Sequence, residues 1–175
     1  MSDTNPDDDF KKHLIAGTRL LNRGKPKEAL PLLELAYRAN PGHLEAALNY
    51  GSAYIMAGRF KHAIPILEDA AKAHPDVPQL WQNLGAAYLG NPIIASAEQQ
   101  SKALAALNRA VLLDPYAPNI EYNIGLIHRD RGEIEQAINA FKRALKVNPN
   151  DQDARSLLRK LEARQQQNGD ESPTA

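Results

Sequence analysis

Three asparagines, five histidines and a run of three aspartates are the side chains whose type and spacing could do chemistry in this sequence. Asn49, Asn83 and Asn123 stand 34 and 40 residues apart. A carboxamide is donor and acceptor at once, so a series of them can pair with the N–H and C=O of an extended chain whatever side chains that chain carries. His13, His43, His62, His74 and His128 show no close metal-ligand spacing and read as surface or packing residues. Asp7, Asp8 and Asp9 read as a solvated helix cap, with Asp8 or Asp9 placed to favour the dipole of the first helix. There is no cysteine, which removes thiolate ligands, a Cys nucleophile and disulfides and fits a reducing cytoplasm. Neither a Gly-rich phosphate loop nor a nucleophile elbow occurs. No catalytic residue, metal or cofactor is assigned, and the expected chemistry is recognition, not an enzyme reaction.

Composition narrows the partner. The 175 residues carry 21 basic and 21 acidic side chains, so no net field draws in a phosphate backbone or an anionic bilayer, and nucleic acid is not expected. The start, MSDTNPDDDFKKHL, is acidic and lacks the basic start and apolar run of a secretion signal. No apolar stretch approaches the roughly 20 residues that span a bilayer, so no membrane insertion is expected either. The resulting expectation is a soluble, cytoplasmic protein.

The elements that must position the asparagines are set by an internal period. Gly17, Gly51, Gly85 and Gly125 are separated by 34, 34 and 40 residues, and Pro41, Pro75, Pro115 and Pro149 by 34, 40 and 34. Ala29, Ala63, Ala103 and Ala137 keep the same register. Such a period marks a solenoid, in which each unit leaves an apolar face for its neighbour to cover. Trp81, Leu84, Gly85 and Tyr88 form one helical stripe, and Ala137, Phe141, Ala144 and Leu145 form that of a following helix. Each unit is thus a helical hairpin. Gly24, Gly58 and Gly132 supply its turn and an Asn-Pro, His-Pro or Asp-Pro pair its end. Pro26, Pro78 and Pro118 suit a first helical turn. Pro31 and Pro65 fall deeper and predict a mild bend or a late helix start.

The order Trp, Leu, Gly, Tyr, Gly, Ala, Phe, Ala, Pro at positions 4, 7, 8, 11, 15, 20, 24, 27 and 32 of the unit resembles the tetratricopeptide repeat. The first copy departs most, with His13 and Ala16 at positions 4 and 7, and the fourth has Glu121 and His128 at positions 4 and 11. The resemblance implies an all-α, right-handed α-solenoid of four helix-turn-helix units, 10–43, 44–77, 78–117 and 118–151, closed by a capping helix over 152–166. Residues 1–9 are expected to be a flexible acidic terminus, 10–166 the repeat domain and 167–175 a disordered tail.

Positions 4, 7, 8 and 11 of the first helix face the packed interior, so at about 100° per residue positions 2, 5, 6 and 9 face out. In tetratricopeptide stacks that outward face lines a concave groove where peptides commonly bind. Asn49, Asn83 and Asn123 share position 6 and are similar to the asparagine ladder of some such stacks, while Ile15 interrupts the series in the first unit. The alternative is three solvated side chains inherited by duplication. The expected groove adds Leu14, Leu48, Ser52, Met56, Gln79, Gln82, Tyr122 and Arg129. Its apolar first end would meet an apolar stretch of a ligand, the protein's own N-terminal segment or a second copy. The implied function is a protein-interaction adaptor or scaffold for a peptide or protein segment, the alternative a structural subunit that self-associates. Leu14, Thr18, Gln79 and Asn83 occupy four positions of the clamp that grips C-terminal carboxylates of heat-shock chaperones, and only Asn49 matches it, so such tails are not expected as ligands.

The third unit carries six extra residues between its helices. Ser96 and Gln99 form a capping box, which predicts that its second helix starts early and runs a turn or more longer. In GNPII, Ile93 and Ile94 are expected to fold back on that helix, the alternative being a recognition loop.

Overall fold

The computed structural model describes residues 6–170 of the chain. Among the described residues the secondary structure is nine α-helices with no strand: α1 Pro6–Asn22, α2 Pro26–Ala39, α3 Leu44–Met56, α4 Phe60–Ala73, α5 Pro78–Leu89, α6 Ala97–Leu113, α7 Ile120–Asp130, α8 Ile134–Val147 and α9 Gln152–Asp170. The fold class is an all-α helical solenoid, and the chain divides into two units at Ala106 and Leu107, within α6.

In the first unit α1 packs on α2, α3 on α4, and α3 lies beside both α1 and α5. What allows the close pairing is a glycine at position 8 of each leading helix. A Cβ on Gly17 would stand 2.7 Å from the Leu33 side chain, and one on Gly51 would stand 2.6 Å from Leu67 Cδ2. Both leucines are fully buried. Around them two clusters form: Leu14, Leu21, Leu33 and Tyr50, then Leu67, Leu80, Leu84 and Ala87, with Trp81 and Tyr88 packed at the edge. Trp81 is half-buried, not fully internal, and its Nε1 donates to the Pro75 carbonyl at 3.0 Å. In the second unit α7 packs on α8 and α8 on α9. Gly125 plays the same part there, 2.8 Å from Phe141 as a Cβ would sit, and Phe141, Ile138 and Leu161 anchor the core.

The turns use left-handed backbone where expected: Gly24, Gly58 and Gly132 have φ of 70°, 71° and 74°, a region open to glycine at little cost. Four boundaries differ from expectation. α1 begins at Pro6, which puts Asp7, Asp8 and Asp9 inside its first turn; residues 1–5 of the anticipated acidic terminus lie outside the described residues. α9 runs to Asp170, so residues 167–170 are helical and only 171–175 of the anticipated tail lie outside. α7 starts at Ile120, two residues after Pro118, because Asn119 takes a left-handed φ of 66° before it. Pro31 and Pro65 sit inside α2 and α4, neither of which starts late; each removes one main-chain donor from its helix.

The insertion is divided between loop and helix. Three-residue turns join α1 to α2, α3 to α4 and α7 to α8, whereas residues 90–96 join α5 to α6. α6 has 17 residues against 14 in α2, α4 and α8, just short of one extra turn. The capping box forms, with Gln99 N donating to Ser96 Oγ at 3.2 Å and Ser96 N to Gln99 Oε1 at 2.9 Å. Ile93 and Ile94 do not fold back: they are 90% and 77% exposed. Asn91 forms an Asx turn at the tip, its Oδ1 accepting from Ile93 N at 3.0 Å.

Candidate protein-binding groove

Position 6 of a leading helix turns its side chain toward position 9 of the helix before it. Asn49 Nδ2 on α3 donates to Thr18 Oγ1 on α1 at 2.8 Å, and Asn83 Nδ2 on α5 donates to Ser52 Oγ on α3 at 2.9 Å. The same step of 31 residues separates both pairs. Asn49 and Asn83 are half-buried and each links two hairpins, which does not fit the alternative of freely solvated carboxamides. A primary amide has two N–H donors and a carbonyl acceptor, so after the internal bond one N–H and Oδ1 remain. Those are the two groups that one peptide unit of a ligand would use.

Asn123 lies on α7 of the second unit and is half-buried. The residue that matches Thr18 and Ser52 in the repeat before it is Ala86, which has no hydroxyl. Thr18 is the member of this row that the sequence reading left without a role. The signal that identifies it is a Ser or Thr 31 residues before an asparagine.

The other anticipated groove residues separate into open and packed. Gln79 and Met56 are exposed, and Gln82 and Ser52 are half-buried. Leu48 is half-buried against the second cluster. Leu14 is 6% exposed and belongs to the first core cluster, which withdraws it from the groove. Position 5 lies only about 60° around the helix from position 8, close enough to the interior stripe for a leucine to turn inward. Tyr122 packs edge-to-face on Phe141 with ring centroids 5.7 Å apart, so its ring serves the core of the second unit. Arg129 is tied to Asp130 at 2.6 Å.

Ile15, on α1 at position 6 of the first repeat unit, is 60% exposed. It floors a depression of about 420 Å³ lined by Thr18, Arg19, Asn22, Arg23 and Glu45. A second depression of about 360 Å³ is lined by Gly24, Lys25, Lys27, Glu28 and Met56.

Elsewhere the ionisable groups serve packing. Glu121 is 6% exposed, and its Oε1 accepts from Arg143 Nε at 2.7 Å. His128 Nδ1 and Glu133 Oε2 lie 2.5 Å apart, and Arg131 also pairs with Glu133 at 3.0 Å. Tyr88 donates to Glu68 at 2.6 Å; burial, then that bond, pushes its phenol up to about 12. Among the described residues no group of three or more His, Asp or Glu is placed to hold a metal ion, and no helix is long and apolar enough to cross a membrane.

Two family models with the description tetratricopeptide repeat match the chain, one over residues 20–89 and the other over 118–151. Among curated proteins none matches. Among solved structures, a MamA protein is 22% identical with a TM-score of 0.76, covering 89% of this chain and 81% of that one. The thermophilic tetratricopeptide protein TTC0263 of Thermus thermophilus is 23% identical with a TM-score of 0.72, covering 89% and 82%. The anaphase-promoting-complex hetero-tetramer Cut9–Hcn1 is 21% identical with a TM-score of 0.75, covering 87% of this chain and 29% of the other.

Proposed function

Because the chain belongs to the tetratricopeptide repeat family, whose members are protein-interaction scaffolds, we propose that the outward face of α1, α3 and α5 holds an extended segment of another protein. The observation that carries this reading is the pair of carboxamides on α3 and α5, each oriented by a bond to the helix before it and each retaining one N–H and one carbonyl. Pre-orientation lowers the side-chain entropy lost on binding. Main-chain pairing gives affinity with little dependence on sequence, and neighbouring side chains supply the selectivity. On this reading the protein is a cytoplasmic adaptor, not an enzyme, with no nucleic acid ligand. Asn123 provides a further carboxamide on the second unit.

The test is a linear-peptide selection against the full chain, followed by calorimetry of a recovered peptide on wild type and on Asn49→Ala/Asn83→Ala. Each lost hydrogen bond is worth about 0.5–1.5 kcal/mol, so a roughly tenfold or greater weakening is expected in a variant that still folds. Unchanged affinity would refute the groove. A second reading, a subunit that packs into an assembly, is supported by the hetero-tetramer among the similar structures and by the exposure of Ile15 and Met56. Light scattering of the isolated chain tests its self-associating form, which a monomer at high concentration would remove.

A further inference from the structure

Position 6 of the first repeat unit, on α1, is where the asparagine row would begin, and it holds an exposed isoleucine beside two arginines. Arg19 and Arg23 rim the Ile15 depression, are both exposed and make no ion pair among the described residues. Arg23 borders Gly24 in sequence, and Gly24 lines the second depression with Lys25, Lys27 and Met56. Met56 is 53% exposed. Glu45 and Glu28 are the acidic side chains in the two linings, and Glu28 is already paired with Lys25 at 3.0 Å. Four cations against two carboxylates give this end a positive surplus in a chain whose total charge is zero. Each depression therefore offers one bare apolar side chain next to an excess of positive charge.

We infer that this end of the groove selects acidic ligands: a protein segment in which an apolar side chain seated on Ile15 is flanked by Asp or Glu facing Arg19 and Arg23. The inference rests on the groove reading and specifies what the bound segment carries. Guanidinium groups suit carboxylates because their planar fork can donate two parallel hydrogen bonds. A recess that holds a bare apolar side chain beside cations fits a segment carrying both an apolar and an acidic side chain, a pairing that an anionic bilayer surface does not present. Complementary charge also steers encounter, so association is expected to slow as salt rises.

The experiment uses random linear peptides displayed on phage, selected against the full chain, with recovered peptides measured by calorimetry on three proteins: wild type, Arg19→Glu/Arg23→Glu and Asn49→Ala/Asn83→Ala. Recovered peptides are expected to combine an apolar residue with nearby Asp or Glu, and the Glu variant is expected to bind them about tenfold or more weakly. Replacing the peptide's acidic residues by Lys is expected to restore binding to that variant, which a merely structural role of the arginines would not do. Peptides that lose affinity on the asparagine variant but keep it on the Glu variant overturn this inference and leave the groove standing. Peptides weakened by both variants support it, whereas peptides weakened only by the Glu variant refute the groove and, with it, this inference about what the groove holds. Peptides indifferent to both variants, or no binder at all, overturn both. Tight binding of the protein to phosphatidylserine-rich vesicles with only neutral or basic peptides recovered would assign the cations to a membrane surface instead.

Discussion

Asn49 and Thr18 form a pair whose energy can be isolated. Asn49→Ala removes a half-buried hydrogen bond between hairpins, and an unfolding titration is expected to show a loss of about 0.5–1.5 kcal/mol. In a double-mutant cycle Thr18→Val is expected to cost nothing further once Asn49 is gone; full additivity would mean that the two side chains do not interact. Gly51→Ala is a harsher change, because its Cβ would sit 2.6 Å from Leu67, which has no room to move. Overpacking of this kind costs about 1–3 kcal/mol, read as a lower denaturation midpoint. Arg143→Met leaves Glu121 buried without its cation, and a loss of about 3 kcal/mol or more is expected. Glu121→Leu added to that variant is expected to recover most of it, since Glu121 Oε2 has no hydrogen-bond partner to forfeit among the described residues. At high pH the buried phenols become a liability. The phenol of Tyr88 is raised by burial and by Glu68, so its contribution is intact below the ordinary tyrosine value of 10.0 and is lost as pH rises through about 12. Tyr88→Phe is expected to flatten the alkaline limb of a stability-against-pH curve; an unchanged limb would show that Tyr88 does not set it.

At the scale of elements, the hairpins were legible because the repeat fixes small residues where backbones meet. Glycine at position 8 and alanine at position 20 recur in all four copies, and the close Cβ distances at Gly17, Gly51 and Gly125 give the steric reason. Helix ends were less legible. Asn119 moves the start of α7 through one left-handed residue, and the acidic first turn of α1 extends that helix back to Pro6; both are local choices on which the period says nothing. The insertion was legible in its capping box and not in its tip. Apolar character suggested that Ile93 and Ile94 would be covered, whereas both stand exposed on a loop that an Asx turn at Asn91 holds. Since Ile93 and Ile94 bury little surface, Ile93→Ser/Ile94→Ser is expected to change unfolding free energy by less than about 0.5 kcal/mol. A drop of about 2 kcal/mol in a urea titration would mean that the isoleucines are covered in solution.

For the whole molecule, no group of three or more His, Asp or Glu among the described residues is placed to hold a metal ion and the chain has no net charge; the proposed recognition rests on surface shape and local polarity. Register alone located the asparagine row, because two residues along a helix turn the side chain to nearly the opposite face. It did not reveal that the amides would be shared with neighbouring hairpins, since that depends on a hydroxyl from another helix. Leu14 and Tyr122 show the other limit of register: a position beside the interior stripe is drawn inward when its side chain is large and apolar. The most direct test of the account is the side-chain amide spectrum of the 15N-labelled protein during titration with a selected peptide. Large shifts of the Asn49 and Asn83 NH2 resonances at saturation are expected, larger than those of asparagines away from α3 and α5. Saturated binding that leaves both resonances where they began would contradict the proposed groove.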